Sequence, residues 1–332
     1  MRAVIIGGSG HVGTYLVPRL VVAGYEVVNV TRGKSKPYLP HAAWAHVQQV
    51  TIDRDEAERA GTFGRQIAEL KPDIVIDMVC FEPSSAQHLV EHLRGQVRHF
   101  LHCGTIWVHG HPSIQPTTED MPRRPLGKYA TTAADADPYL LSDYGAMKAQ
   151  IEAYLLTEAR LHGFPATVLH PGHIVGPGHY PVNPQGNGNV RVFQQLAKGE
   201  EVLIPHIGLE TLHHVHADDV AQAFMRAIEH WSVSVGENFH VVSEAALTLR
   251  GYAEAVAAWF GQQPNLRFVS WQEFTERLPE ADWIKTWDHI AHSPNCSIEK
   301  AKRMIRYQPR YTSLEAIFES LEWLVANGVI QR

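Results

Sequence analysis

Cysteine is scarce in this chain: 332 residues contain only Cys80, Cys103 and Cys296. An odd, sparse count excludes a disulfide framework and suits a reducing compartment, so a cytoplasmic location is expected. No apolar run approaches the ~20 residues that a membrane span requires. The N-terminus enters a strand at Arg2 to Ile6 without a charged leader and a long apolar stretch, so no signal peptide is expected. Positive charge is short as well. Lys and Arg number 29 against 35 Asp and Glu, a formal charge of −6, and the nearest thing to a basic cluster is the pair Arg123-Arg124. Phosphate binding draws on clustered cations, so nucleic acid is not an expected partner. Internal repeats and low-complexity tracts are also missing.

What is present suits a large globular protein. Hydrophobic residues make up 45%, enough for a sizeable core, and the length suits two domains or one domain with an elaborated lobe. Histidine is abundant, with 21 copies. His213, His214 and His216 invite a metal reading, but no His-x3-His helix pair or Cys/His frame accompanies them, so no metal is expected.

Short apolar runs alternate with helical patterns through the first half, which predicts a parallel sheet covered by helices, an α/β fold. Strands are expected at Ala3 to Ile6, Glu26 to Val30, Val47 to Ile52, Asp73 to Val79, His99 to His102 and Ala166 to His170, with helices at His11 to Ala23, Glu56 to Leu70, Ser84 to Leu93 and Ser142 to Leu161. Residues 110–140 are rich in Pro, Thr and Asp and read as a long functional loop. Later come a short strand near Val202 to Ile204, a helix from Asp218 to Glu229, a strand at Asn238 to Val242 and a mostly helical end.

Gly7-Gly8-Ser9-Gly10-His11-Val12-Gly13 lies between the first strand and the first helix. Gly7 permits a sharp turn, Gly10 lets backbone approach a pyrophosphate, and Gly13 lets the helix pack closely on the sheet. The helix N-terminus offers free N–H groups to phosphate. The cofactor implied is NAD(P). Thr31-Arg32 ends the second strand where an acidic residue would bind the ribose hydroxyls of NAD. Arg32 can pair with a 2′-phosphate, with Lys34 and Lys36 near in sequence, so the cofactor leans to NADP. Asp53 is a candidate for the adenine edge.

Tyr144 and Lys148 are spaced i, i+4 and share a helix face. A free phenol, with a pKa near ~10, is a poor base at neutral pH, and a neighbouring ammonium together with the positive nicotinamide ring is expected to lower it. Tyr144 can then take a hydroxyl proton while hydride leaves the same carbon.

With these motifs the chain resembles the extended short-chain dehydrogenases/reductases of the NAD-dependent epimerase/dehydratase family. Phe100 to Gly110 is similar to the family's strand and turn that carry a catalytic Ser or Thr, and Thr105 falls on that position. His170 to Gly178 (HPGHIVGPG) and His213 to Ala221 (HHVHADDVA) resemble two further segments. The resemblance implies a Rossmann-type doubly wound sheet over residues 1–170 plus about 212–242, and a substrate lobe from 171–211 plus 243–332. It implies Thr105, Tyr144 and Lys148 as catalytic residues. Cofactor contacts are expected from Gly7, Ser9, Gly10, His11, Val12, Gly13, Thr31, Arg32, Asp53, Met78, Val79, Cys80, Cys103, Tyr144, Lys148, Pro171 and His173. It also implies a sugar-like substrate and a homodimer.

Three departures limit the substrate. Ile106-Trp107 follow Thr105 where sugar dehydratases have Asp-Glu, so dehydration by that route is not expected. His173 replaces an Asn that touches substrate. Leu212 stands where a diphosphate-binding Arg is often found, which leaves a free sugar or sugar acid, or a diphosphate held by Arg191 or Arg250. Trp107, His109 and His111 either line the pocket or support the loop, and Trp107, His173 and Arg191 are the expected substrate contacts. Asp218-Asp219 read as acids suited to a helix's first turn. The leading function is a sugar epimerase or related sugar oxidoreductase. A net NADP-dependent reductase or dehydrogenase of a small hydroxy compound stands beside it, and a catalytically inactive dinucleotide-sensing or RNA-associated scaffold is the third reading.

Overall fold

The computed structural model describes residues 1–123 and 143–331. Thirteen strands are formed by these residues: β1 (Arg2–Ile6), β2 (Glu26–Thr31), β3 (Gln48–Thr51), β4 (Ile74–Asp77), β5 (His99–Cys103), β6 (Ala166–Pro171), β7 (His173–Val175), β8 (Val202–Pro205), β9 (Thr211–Leu212), β10 (His214–His216), β11 (Asn238–Val241), β12 (Leu247–Thr248) and β13 (Leu266–Val269). Seven make one parallel sheet in the order β11-β6-β5-β4-β1-β2-β3. The chain winds outward from β1 to β3, then returns and builds the other half from β4. The strand order therefore reverses between β1 and β4, and a crevice for ligand opens at their carboxyl ends.

The helices among the described residues are α1 (His11–Val22), α2 (Arg54–Arg59), α3 (Phe63–Glu69), α4 (Pro83–Leu93), α5 (Tyr144–His162), α6 (Arg191–Lys198), α7 (Ala217–Glu229), α8 (Trp231–Ser234), α9 (Leu249–Trp259), α10 (Trp271–Arg277), α11 (Glu280–His292), α12 (Glu299–Ile305) and α13 (Ser313–Ala326). A parallel sheet covered on both faces needs apolar residues on both faces of each strand. In β1, Ala3 and Ile5 join one buried cluster with Leu16, Leu20 and Phe224 of α1 and α7. Val4 and Ile6 point the other way, to Ile67, Leu89 and Ile151 of α3, α4 and α5. A third cluster joins α6, α9 and α13 to β8. Ile298, Ala301, Ile305 and Tyr307 pack with the α1/α7 side of the sheet.

One expectation shifts. The helix anticipated over 56–70 is two helices, because Gly61 adopts φ +65 and breaks it. Ser142, expected to open the long helix, lies outside the described residues, as do Arg124 and most of the Pro-rich loop. None of the described helices is long and apolar enough to cross a membrane.

Candidate functional site

The turn after β1 is built on its glycines. Gly7 sits at φ +87, and a Cβ there would come 2.8 Å from Val79 Cγ1. Gly13 lies on the Gly8 backbone so closely that a Cβ would run into the Gly8 carbonyl. Gly10 N-caps α1 without a side-chain bond, and a Cβ on it would meet only the Gly7 carbonyl, at 3.7 Å. Gly7, Ser9 and Gly10 open onto a cavity of about 370 Å³, lined also by Thr31, Arg32, Lys34, Arg54, Val79 and Phe81. The N-terminus of α1 and the cations Arg32 and Lys34 in this lining suit the pyrophosphate and 2′-phosphate of a dinucleotide. Among the described residues no ion pair engages Arg32 or Lys34.

Other predicted contacts are placed less directly. Asp53 accepts a hydrogen bond from Glu56 N (3.2 Å) and caps α2, while its neighbours Ile52, Arg54 and Asp55 line the cavity. Lys36, Met78, Cys80 and Pro171 do not line it. Val12 is buried against the sheet. His11 stacks on Tyr38 (3.9 Å between centroids), and Tyr38 donates its N–H to Thr14 Oγ1 (3.1 Å). This folds residues near 38 back over the start of α1. Burial lowers the His11 pKa.

Arg54 is a lining residue that the sequence reading passed over in favour of Asp53. Its guanidinium is bound to Asp77 at 2.8 Å and Glu58 at 2.6 Å, and it lies 5.0 Å over the Phe63 ring. The signal was a cation opening the helix after the third strand, but its partner Asp77 is 23 residues away.

Tyr144, Lys148 and Thr105 converge beside this cavity. Thr105 follows β5 and N-caps the turn Ile106–His109, accepting from Trp107 N at 3.3 Å. The Thr105 hydroxyl is hydrogen-bonded to the Tyr144 phenol. Lys148 is buried and donates to the Cys103 carbonyl at 2.7 Å, with Nζ 5.9 Å from the Tyr144 ring centroid. Phe81 joins the two halves: it lines the cavity, its ring lies 4.9 Å from Lys148 Nζ, and its centroid is 6.3 Å from that of Tyr144.

The protein's own groups do not by themselves lower the Tyr144 pKa. Burial pushes it up to about 12, and the Thr105 hydrogen bond pulls against this without prevailing. Burial also lowers Lys148. In the protein itself desolvation outweighs the ammonium, because both groups are enclosed and each charged form loses its water.

Trp107 brings α11, β7 and α5 together. It stacks on His292 at 4.2 Å and meets His289, His173 and Tyr144 edge-on at 5.1, 6.2 and 6.5 Å. Both ring nitrogens of His173 are buried without a hydrogen-bond partner. Burial, reinforced by His289 and His214, holds His173 well below its usual pKa. His173, His214 and His289 are thus neutral rings, the other two packed around His173, and Trp107 lies between this cluster and the Tyr144 ring. His289 and His292 had no motif to mark them.

Behind Thr105 lies a buried polar network. Thr105 N donates to His170 Nδ1 (3.0 Å), so Nδ1 accepts and His170 Nε2 donates to Glu152 Oε1 (2.9 Å). Arg123 grips Glu152 through Nε (2.6 Å) and Nη2 (2.5 Å), and Asn238 donates to it at 2.5 Å. Burial raises the Glu152 pKa, but His170 and Arg123 outweigh that and hold it far below the usual range. His109 belongs to this network rather than to the cleft, bonded to His240 at 2.9 Å.

Arg191 is exposed at the start of α6, and Arg250 is paired with Glu254 on the surface at 2.8 Å. Leu212 is fully buried in β9. Asp218 and Asp219 do more than suit a helix terminus. Asp218 binds Arg19, and Asp219 accepts from Arg310 N (2.7 Å) and Tyr311 N (3.1 Å). His213 uses both nitrogens, toward the Ser243 carbonyl (3.0 Å) and Cys296 N (3.1 Å). His216 accepts from Asp218 N at 3.0 Å. Partner bonding therefore accounts for these histidines.

Comparison with known proteins matches residues 3–241 to a family model described as the NAD dependent epimerase/dehydratase family. The chloroplast stem-loop binding protein of 41 kDa b from Arabidopsis thaliana is 23% identical over 100% of this chain and 81% of its own length. A UDP-glucose 4-epimerase from Mycolicibacterium smegmatis is 26% identical over 81% of this chain and 85% of its own. In structure, a UDP-glucose 4-epimerase from Thermotoga maritima superposes with a TM-score of 0.71 at 20% identity, covering 98% of this chain and 99% of that one.

Proposed function

Since the chain belongs to the NAD dependent epimerase/dehydratase family, we propose that it is an NAD(P)-dependent sugar or nucleotide-sugar epimerase, or a closely related sugar oxidoreductase. One observation carries this reading: Phe81 contacts the glycine-loop cavity and the Tyr144/Lys148 pair at once, so an alcohol carbon beside Tyr144 lies at the end of a dinucleotide-shaped crevice. When bound, the oxidised cofactor supplies a hydride acceptor and a positive ring.

The chain's own residues do the rest. Tyr144 exchanges a proton with the substrate oxygen, and Thr105 bonds that same oxygen. A phenol near 12 holds its proton at neutral pH, so releasing it needs positive charge close by. Lys148, fixed by the Cys103 carbonyl, is one such charge. Trp107, His173 and His289 offer an aromatic wall and neutral hydrogen-bonding groups to sugar hydroxyls. Arg32 and Lys34 favour NADP over NAD.

The test incubates the pure protein with NAD⁺ or NADP⁺ and either UDP-glucose or unmodified hexoses. NMR follows inversion at the sugar carbons, and absorbance follows bulk reduced nicotinamide. Inversion without net reduction marks an epimerase, and stoichiometric change marks a net oxidoreductase. Tyr144→Phe should cut turnover by roughly two to four orders of magnitude; full activity in that variant rejects the catalytic assignment. The full-length similarity to a stem-loop binding protein keeps a scaffold reading in view. RNA-hairpin binding that survives Tyr144→Phe, with no sugar turned over by the wild type, would favour it.

A further inference from the structure

Outside the cleft, α4 carries its own set of chemistry-bearing side chains. His88, Glu91 and His92 recur at i, i+3 and i+4, a spacing that places them on one flank of the helix. One potential ligand atom from each lies within 4.8 Å of the others. The apolar face of α4, with Ala86, Leu89, Val90 and Leu93, is turned into the core. His88 and His92 are half-buried beside it, and Glu91 is exposed. The expectation of no metal rested on the surroundings of His213 to His216 and did not weigh this pair.

Three details favour a bound cation over a chance cluster. Nδ1 of His92 lies 3.0 Å from the His88 carbonyl oxygen, which can only accept. Nδ1 therefore carries the proton, and Nε2 presents a lone pair, the arrangement by which a second bond orients a metal-ligating imidazole. Among the described residues Nε2 of His88 is buried without a hydrogen-bond partner, a polar orphan that a bound ion would satisfy. The two rings sit 4.6 Å apart, and α3 leaves room for them: a Cβ on Gly64 would lie 2.7 Å from His92 Nδ1 and 2.8 Å from the His88 carbonyl oxygen.

Two imidazoles and one carboxylate form a borderline donor set. Magnesium and calcium prefer oxygen alone, whereas Zn²⁺, Ni²⁺ and Cu²⁺ accept nitrogen readily. We propose that His88, Glu91 and His92 bind one divalent transition-metal ion, with water completing its coordination, as a site separate from the Tyr144 chemistry.

The experiment uses tag-free, chelator-stripped protein titrated with Zn²⁺ in a calorimeter, with the melting temperature followed in parallel. Other histidines are numerous, so the comparison with variants decides. The wild type should bind one more Zn²⁺ than His88→Ala/His92→Ala and melt higher when zinc is present. His92→Ala alone should weaken that site at least ~10-fold, and Glu91→Gln should weaken it less. Circular dichroism checks that these half-buried substitutions leave the fold intact. Identical isotherms for the wild type and the double variant, or no saturable binding at all, would overturn the proposal. Neither outcome bears on the sugar chemistry, which is read by a different assay.

Discussion

On the proposed reading, Arg32 is the side chain that would choose between the two cofactors. It lines the crevice with Lys34 at the end of β2, and no acidic side chain among the described residues pairs with either. A guanidinium beside a 2′-phosphate makes a charge-assisted bond worth about 1.5–3 kcal/mol, which is roughly 10- to 100-fold in affinity. Arg32→Ala should lose that much affinity for NADPH and little for NADH, measured by fluorescence titration of each. Equal losses for both cofactors would show that Arg32 contacts what they share. That Arg32 lines the crevice was legible because its place at the end of a strand is a local feature. The titration of Tyr144 was not. Its neighbours Phe81, Trp107 and Thr105 come from other parts of the chain, and their enclosure of the phenol decides its pKa.

Among the elements, α5 repays the closest reading. Tyr144, Lys148 and Glu152 recur every four residues along one face and meet, in turn, Thr105, the Cys103 carbonyl and His170. The first two were legible as a spacing that acid/base chemistry needs. Glu152 was not, since its partners lie 18 and 29 residues away and no local rule marks them. The same limit applies to α11, whose His289 and His292 reach Trp107 only in three dimensions. By contrast, the sheet strands and the glycine turn follow from short-range pattern, and their positions agree with the structure to within a few residues. Removing one member of a buried ion pair strands the other, at about 3–5 kcal/mol. Arg123 keeps 23% of its side chain exposed, so Glu152→Ala should fall at the lower end of that range in urea unfolding. A loss under about 1 kcal/mol would mean that Arg123 rehydrates freely and the network is not holding the Thr105 turn.

At the scale of the whole molecule, the abundance of histidine sets how the fold responds to acid. His99, His109 and His214 are pushed down to about 3, and His179, His213 and His289 to about 4, with burial the first cause in every case. Unfolded, each would titrate near 6.5. A depressed folded value means that the unfolded chain binds more protons below that pH, so stability is fully present above about 6.5 and is lost as pH falls toward the folded values. Each such group contributes about 1.4 kcal/mol per pH unit across that window. Six acting together would consume a typical stability of about 5–15 kcal/mol within one to two units. Glu152, held low by His170 and Arg123, acts in the same direction but only once pH approaches the carboxylate range. The protein should therefore melt at nearly constant temperature from pH 8 to 7, then drop steeply between about pH 6.5 and 5, with more than one proton taken up per molecule unfolded. Scanning calorimetry across that series gives both quantities. A melting temperature that stays flat down to pH 5 would mean that these imidazoles remain accessible to protons in the folded state, and the neutral cluster around His173 would go with them.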